Sequence, residues 1–270
     1  MKGVRRICGG VLVTVFILSL TYSGYVHYKG RKDTESDARV SSVVKKPVSA
    51  CQSESDRYSS PATVGKPEYI QLDVPYISQK GQLPTGCEII SALMLLEYYG
   101  YDISMDGFID NYLDTGDFWR ENGKLRGQDP AAVFIGNPRT SNGYGCFAPV
   151  IVNSLNRILK DGEVAQETGL NSLEALADEY LTRGIPILVW ASIEMQEVLP
   201  GTTWTIWPSG EEFVWPRNEH CLVLVGYDEK SYYFNDPYDG NGLVAYSKAL
   251  AERRFQELDS QSVVIINGHL

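Results

Sequence analysis

Histidine is scarce in this chain: His27, His220 and His269 are the only three in 270 residues. A closed zinc site needs four convergent Cys or His ligands. One histidine well inside the chain and five scattered cysteines do not supply them, so no metal and no cofactor is expected. Positive charge is short as well. Lys2, Arg5, Arg6, Lys29, Arg31 and Lys32 precede the first acid, which leaves 18 basic against 34 acidic residues in the remainder. So acidic a body repels polyphosphate, and nucleic acid is disfavoured as a partner. No internal repeat is present. The stretch from Asp236 to Gly242 lacks the alternating acids and closing Glu of a calcium loop and reads as consecutive tight turns.

Long apolar runs are limited to one. Ile7 to Val26 carries no charge, follows three basic residues, and has about the 20 residues that a bilayer-spanning helix requires. Residues 1–28 therefore read as a cytoplasmic tip and signal-anchor. The competing reading is a cleavable signal peptide, for which Leu20-Thr21-Tyr22-Ser23-Gly24 makes a poor cleavage site. Either way the remainder is expected outside the cell, held by the membrane or secreted. Cys8 reads as a small residue within the apolar run. Residues 29–68, rich in Ser, Lys, Asp and Glu, read as a flexible stalk. Residues 69–270 are left as one globular domain.

Within it, Tyr69 to Tyr76 alternates like a strand. Cys87 to Tyr99 is apolar around most of its circumference and reads as a buried helix, with Thr85 as N-cap and Glu88 closing a capping box. Residues 102–148 are polar and Gly- and Asn-rich, suggesting short helices and long loops. Helices are expected from Pro149 to Leu159 and from Ser172 to Leu181. Strands are expected from Ile185 to Trp190, His220 to Tyr227, Tyr232 to Asn235 and Ser262 to Ile266. Helices followed by a sheet mean α+β.

The chemistry gathers on four residues in chain order. Cys87 opens a helix, where unpaired N–H groups and the positive dipole end favour a thiolate. Gly86 before it leaves room beside the sulfur. Gln79, upstream, is a neutral donor that with the Cys87 N–H makes a two-donor oxyanion hole. His220 opens a patterned strand after a polar loop. Asp236 follows it 16 positions later, at the end of the next strand, where it can orient the imidazole. A lone histidine, a helix cysteine and an Asp-Pro turn are each ordinary structural features taken singly; the ordered set is not. Cys146 and Cys221 are able to pair in an oxidising compartment, though nothing in the spacing brings them together. Cys221 should point away from His220 into the core.

The string Val74-Pro75-Tyr76-Ile77-Ser78-Gln79, followed by Leu83-Pro84-Thr85-Gly86-Cys87-Glu88-Ile89, resembles the double-glycine-leader-peptidase-like cysteine peptidases, peptidase family thirty-nine of the cysteine group. His220-Cys221-Leu222-Val223-Leu224-Val225-Gly226-Tyr227 with Asn235-Asp236-Pro237 is similar to their later signature. Gly143 to Pro149 and Gly184 to Trp190 resemble members exported by Gram-positive bacteria. The resemblance implies a papain-like fold over roughly residues 70–268. It also implies Cys87 as nucleophile, His220 as base, Asp236 as orienter and Gln79 at the oxyanion hole, acting on a peptide or protein substrate. Cleavage after a double glycine does not carry over, because no transporter segment is present. Two other functions remain open at this level. One is a silent binding module using the aromatic stretch from Trp204 to Trp215. The other is a peptidoglycan amidase, whose usual Asp-Cys dipeptide is absent.

Overall fold

The computed structural model describes residues 66–267. The expected anchor, nearly all of the expected stalk, Cys8, Cys51, His27 and His269 lie outside that range. In chain order come strand β1 (Ile70–Gln71), helices α1 (Cys87–Tyr98) and α2 (Met105–Tyr112), and the short strands β2 (Thr115–Gly116), β3 (Phe118–Glu121), β4 (Lys124–Gly127) and β5 (Phe134–Ile135). Helix α3 (Ala148–Asn156), strand β6 (Glu163–Glu167), helix α4 (Leu173–Glu179) and strands β7 (Ile187–Ser192), β8 (Leu199–Ile206) and β9 (Glu212–Arg217) follow. The chain continues through β10 (Glu219–Tyr227), β11 (Ser231–Asp236), β12 (Gly242–Ser247), α5 (Lys248–Glu257) and β13 (Ser262–Asn267).

The main sheet runs β12-β11-β10-β7-β13-β6, with β1 added to β10, and its pairings are antiparallel. It is buried on both faces, which explains why its central strands read as continuous apolar runs. Alternation sorts the side chains. Leu188, Trp190, Cys221, Val223 and Val225 join α1 and α3 in one core. Ile187, Val189, Ala191, Leu222 and Leu224 face α4 and α5 in another. Every residue of β10 is buried, and α1 is buried from Cys87 through Leu96. The α1 helix is therefore a central core element, stabilised by burial rather than by amphipathic surface packing. No helix among the described residues is long and apolar enough to cross a membrane.

A smaller sheet, β3-β4-β8-β9, carries an aromatic cluster of its own. Trp204 and Trp215 stack at 6.3 Å between ring centres, flanked by Phe118, Tyr144, Phe147 and Phe213. In the aromatic stretch that read as a contact surface, Trp204 and Trp215 are thus packed inside, whereas residues 207–212 between them are exposed, Trp207 among them.

Several expectations shift. Only Ile70 and Gln71 of the first alternating stretch pair as a strand, because Pro75 and the turn beyond it take the chain off the sheet. Ser172 lies outside its helix as the N-cap, its hydroxyl accepting from the Ala175 N–H. The α1 N-cap is Gly86 rather than Thr85, whose hydroxyl instead donates to the Thr140 carbonyl. At the far end of β10, Gly226 is obligatory: a Cβ there would meet the Ile70 carbonyl oxygen at 2.2 Å, where β1 crosses. Next to it the Tyr227 hydroxyl donates to the Pro67 carbonyl and fixes the start of the described chain.

Candidate active site

The start of α1 meets the start of β10. Cys87 is the first residue of the helix and is almost fully buried. Its thiol donates to Glu88 Oε2 at 3.3 Å and takes a hydrogen bond from the Cys221 backbone N–H. The Cys87 sulfur and carboxylate oxygens of Glu88 and Glu219 all lie within 4.8 Å of one another. The sulfur therefore rests against the two residues that flank His220. Among the described residues, no hydrogen bond joins it to the imidazole itself. Alternation along β10 carries Cys221 into the α1-side core and sends His220 to the opposite face, where Asp236 of β11 meets it.

There His220 Nε2 meets Asp236 Oδ1 at 2.7 Å, both side chains almost wholly buried. The bond leaves Nδ1 as the ring atom free to face a substrate or the thiol. Asp236 is held in turn by the Tyr238 N–H on Oδ1 and by Asn241 Nδ2 on Oδ2, each at 2.9 Å. Burial pushes its carboxyl up, but the charge and hydrogen bond of His220, with the Asn241 and Tyr238 donors, outweigh burial and hold it below the usual range. The Tyr238 ring stands edge-on to His220 at 5.8 Å. The run from Asp236 to Gly242 is indeed a set of tight turns, and they serve to bring these donors round the carboxylate.

Gln79 sits in the loop before α1, buried, with its backbone N–H donating to Pro237 next to Asp236. Its Nε2 makes one long bond, 3.4 Å to the Pro84 carbonyl, and its Oε1 is buried without a partner. That loop thus ties the end of β11 to the approach of α1.

Two expectations are corrected. The helix position was expected to lower the Cys87 pKa; burial first, then the Glu88 and Glu219 charges, push the thiol up instead, eased by the Cys221 N–H. Gly86 does not leave a void for substrate, since a Cβ there would lie 2.7 Å from the Leu83 Cβ. The glycine is dictated by the packing of the preceding turn. Cys87, Cys146 and Cys221 are all free thiols, so the conceivable Cys146–Cys221 pairing is not made.

The carboxylates were the missed feature. Glu88 was read as a helix cap, yet it is fully buried, with Oε1 accepting from the Cys146 N–H at 2.7 Å. Gly145 makes this possible, because a Cβ there would sit 2.3 Å from that oxygen. Burial pushes Glu88 up to about 7, moderated by the backbone N–H donors, the Cys87 thiol and the charge of His220. Glu219 is pushed up well beyond its ordinary value, by burial and then by Glu88. Their only mark in the sequence is that Glu88 follows Cys87 and Glu219 precedes His220, which the ordinary reading of a cap and a turn absorbs.

The model of the Peptidase_C39 like family matches residues 71–263. The chain belongs to that family. This C39-like chain is 30% identical over 197 residues to the uncharacterized protein YvpB of Bacillus subtilis (strain 168), covering 73% of each. A crystal structure of a Bacillus anthracis protein described as a C39-like peptidase superposes with a TM-score of 0.65 at 26% identity. The match spans 74% of this chain and 98% of that one. The fold is accordingly the α+β, papain-like fold of cysteine peptidases, with the Cys-bearing helix packed on an antiparallel sheet.

Proposed function

We propose that this C39-like protein is a thiol hydrolase that cleaves peptide or amide bonds through an acyl-enzyme, with Cys87 as nucleophile and His220 as base. The observation that supports it is the buried His220–Asp236 pair at 2.7 Å, placed on the strand whose neighbouring residues touch the Cys87 sulfur. Because the resting thiol is neutral and donates to Glu88, the reaction begins with the sulfur leaving Glu88 for the imidazole. His220 then removes its proton as the sulfur attacks the carbonyl, returns it to the leaving amine, and activates the water that releases the acyl group. Asp236 keeps Nδ1 turned to the reaction and stabilises the imidazolium. The Cys87 N–H and Gln79 Nε2, freed from its long bond to Pro84, face the oxyanion.

A thiol-directed electrophile tests this. Native protein should be labelled at Cys87, labelling should vanish in Cys87→Ala and weaken in His220→Ala. Labelling of only the unfolded control would overturn it. One observation favours a second reading, a non-catalytic binding module on the same fold: the thiol is buried and shares its pocket with two carboxylates. The same labelling separates the two. The apolar run from Ile7 to Val26 supports placing the domain outside the cell on a membrane tether. Loss of the protein from the membrane fraction on deleting residues 1–28 tests that placement.

A further inference from the structure

Two buried carboxylates flank the sulfur, and they are not equivalent. Glu88 has its oxygens occupied by the Cys146 N–H and the Cys87 thiol. Glu219, 8% exposed, has Oε1 buried with no hydrogen-bond partner among the described residues. A buried acceptor without a donor is costly to fold, and a native structure seldom keeps one without use. Glu219 also lines an open cavity of about 260 Å³, whose walls include Tyr144, Trp215, Thr202, Asn218 and Arg217. Arg217 is solvent-exposed, so water screens its charge far more than that of the carboxylate below. The cavity thus has Glu219 in its wall, with the unmet Oε1 closed off just behind the surface, and aromatic faces beside it, a setting that suits a cation.

We infer that this cavity is a substrate subsite, and that Glu219 receives a primary ammonium group lying close to the scissile carbonyl. The distance supports a close placement: a Glu219 oxygen within 4.8 Å of the sulfur puts its ligand beside the atom that attacks. Two sources carry that chemistry, the free α-amine of an amino-terminal residue and the side chain of a lysine-like residue. Rotation of the Glu219 carboxyl lets the ammonium supply the donor that Oε1 lacks, and the cation favours the charged form that burial and Glu88 oppose. The inference rests on the hydrolase reading for its meaning, but ammonium binding itself does not.

The test uses the full chain. In matched fluorogenic peptide amides, the residue giving the scissile carbonyl is lysine, norleucine or glutamate, each with a free or an acetylated α-amine. Wild type should favour one ammonium-bearing set by tenfold or more in kcat/KM, and which set wins identifies the source. In Glu219→Gln that ratio should fall to within about twofold. Glu219→Asp, which keeps the charge on a shorter arm, should retain part of it. Equal rates on cationic and neutral substrates, a preference for glutamate, or a ratio untouched in both variants would overturn the subsite. Butylammonium titrated against tryptophan fluorescence reads binding without hydrolysis, since Trp215 lines the cavity. Saturable quenching lost in Glu219→Gln, with no peptide cleaved, would retain the subsite and remove the hydrolase. Cleavage without any such quenching would do the reverse.

Discussion

Asp236 shows how much of the site depends on single hydrogen bonds. Its two oxygens accept from His220, Tyr238 and Asn241, and His220 has no other oriented partner among the described residues. Asp236→Asn preserves shape but presents a donor where the imidazole needs an acceptor, which turns the ring to the wrong tautomer. We expect kcat/KM to fall by about 10²- to 10⁴-fold with the fold intact, measured against circular dichroism of the variant. Glu88 makes a prediction about stability. Its folded pKa of about 7 lies above its ordinary value of 4.5, so the native state binds the extra proton. The stabilisation this gives is full below pH 4.5 and disappears as pH rises to 7. It amounts to roughly 3 kcal/mol at one pKa unit per 1.36 kcal/mol. Asp236, lowered, works in the other direction and loses its contribution only in more acidic solution. Glu88→Gln keeps the acceptor for the Cys146 N–H, so its urea midpoint should vary less between pH 4.5 and 7 than that of wild type, Glu219 supplying the slope that stays. An equal slope in both proteins would remove Glu88 as the cause.

At the scale of elements, β10 links the catalytic end of the sheet to the start of the domain. Gly226→Ala sets a Cβ against the Ile70 carbonyl and must displace β1. A loss of about 2–4 kcal/mol, seen as a lower melting temperature, is expected from overpacking at a backbone contact. The elements that hold the site were legible in the sequence for the same physical reason that they are central. Strands β7 and β10 are buried throughout, α1 from Cys87 to Leu96, and β11 and β13 over most of their length, so their apolar runs are long. The paired strands β8 and β9 were not legible. Pro200 and Gly201 interrupt β8 and Pro216 interrupts β9, and their apolar residues pack on a local aromatic cluster instead of alternating with solvent. Strand β12 and helix α5 were missed too, being half-exposed and apolar at few positions. Cys87, His220 and Asp236 could be picked out because each stands at the end of a legible element, and Gln79 because it precedes Cys87 in the same motif. Glu88 and Glu219 could not, since a carboxylate beside a helix start ordinarily reads as a cap and one before a strand as a solvated turn.

For the whole molecule, the described residues contain complete cores. Among the described residues, both faces of the main sheet are covered, by α1 and α3 on one side and α4 and α5 on the other. A fragment beginning at Lys66 is therefore expected to fold cooperatively and to be labelled at Cys87 as fast as the full chain. A molten fragment by near-ultraviolet circular dichroism would show that earlier residues complete the fold. The point of attachment also has a practical meaning. Pro67 is tied to Tyr227, seven residues along β10 from His220. At about 3.3 Å per residue the two are separated by roughly 23 Å. A bead or a fusion partner joined at that corner pulls on the far end of the strand, and stays a strand's length from the end where Glu219 and His220 stand.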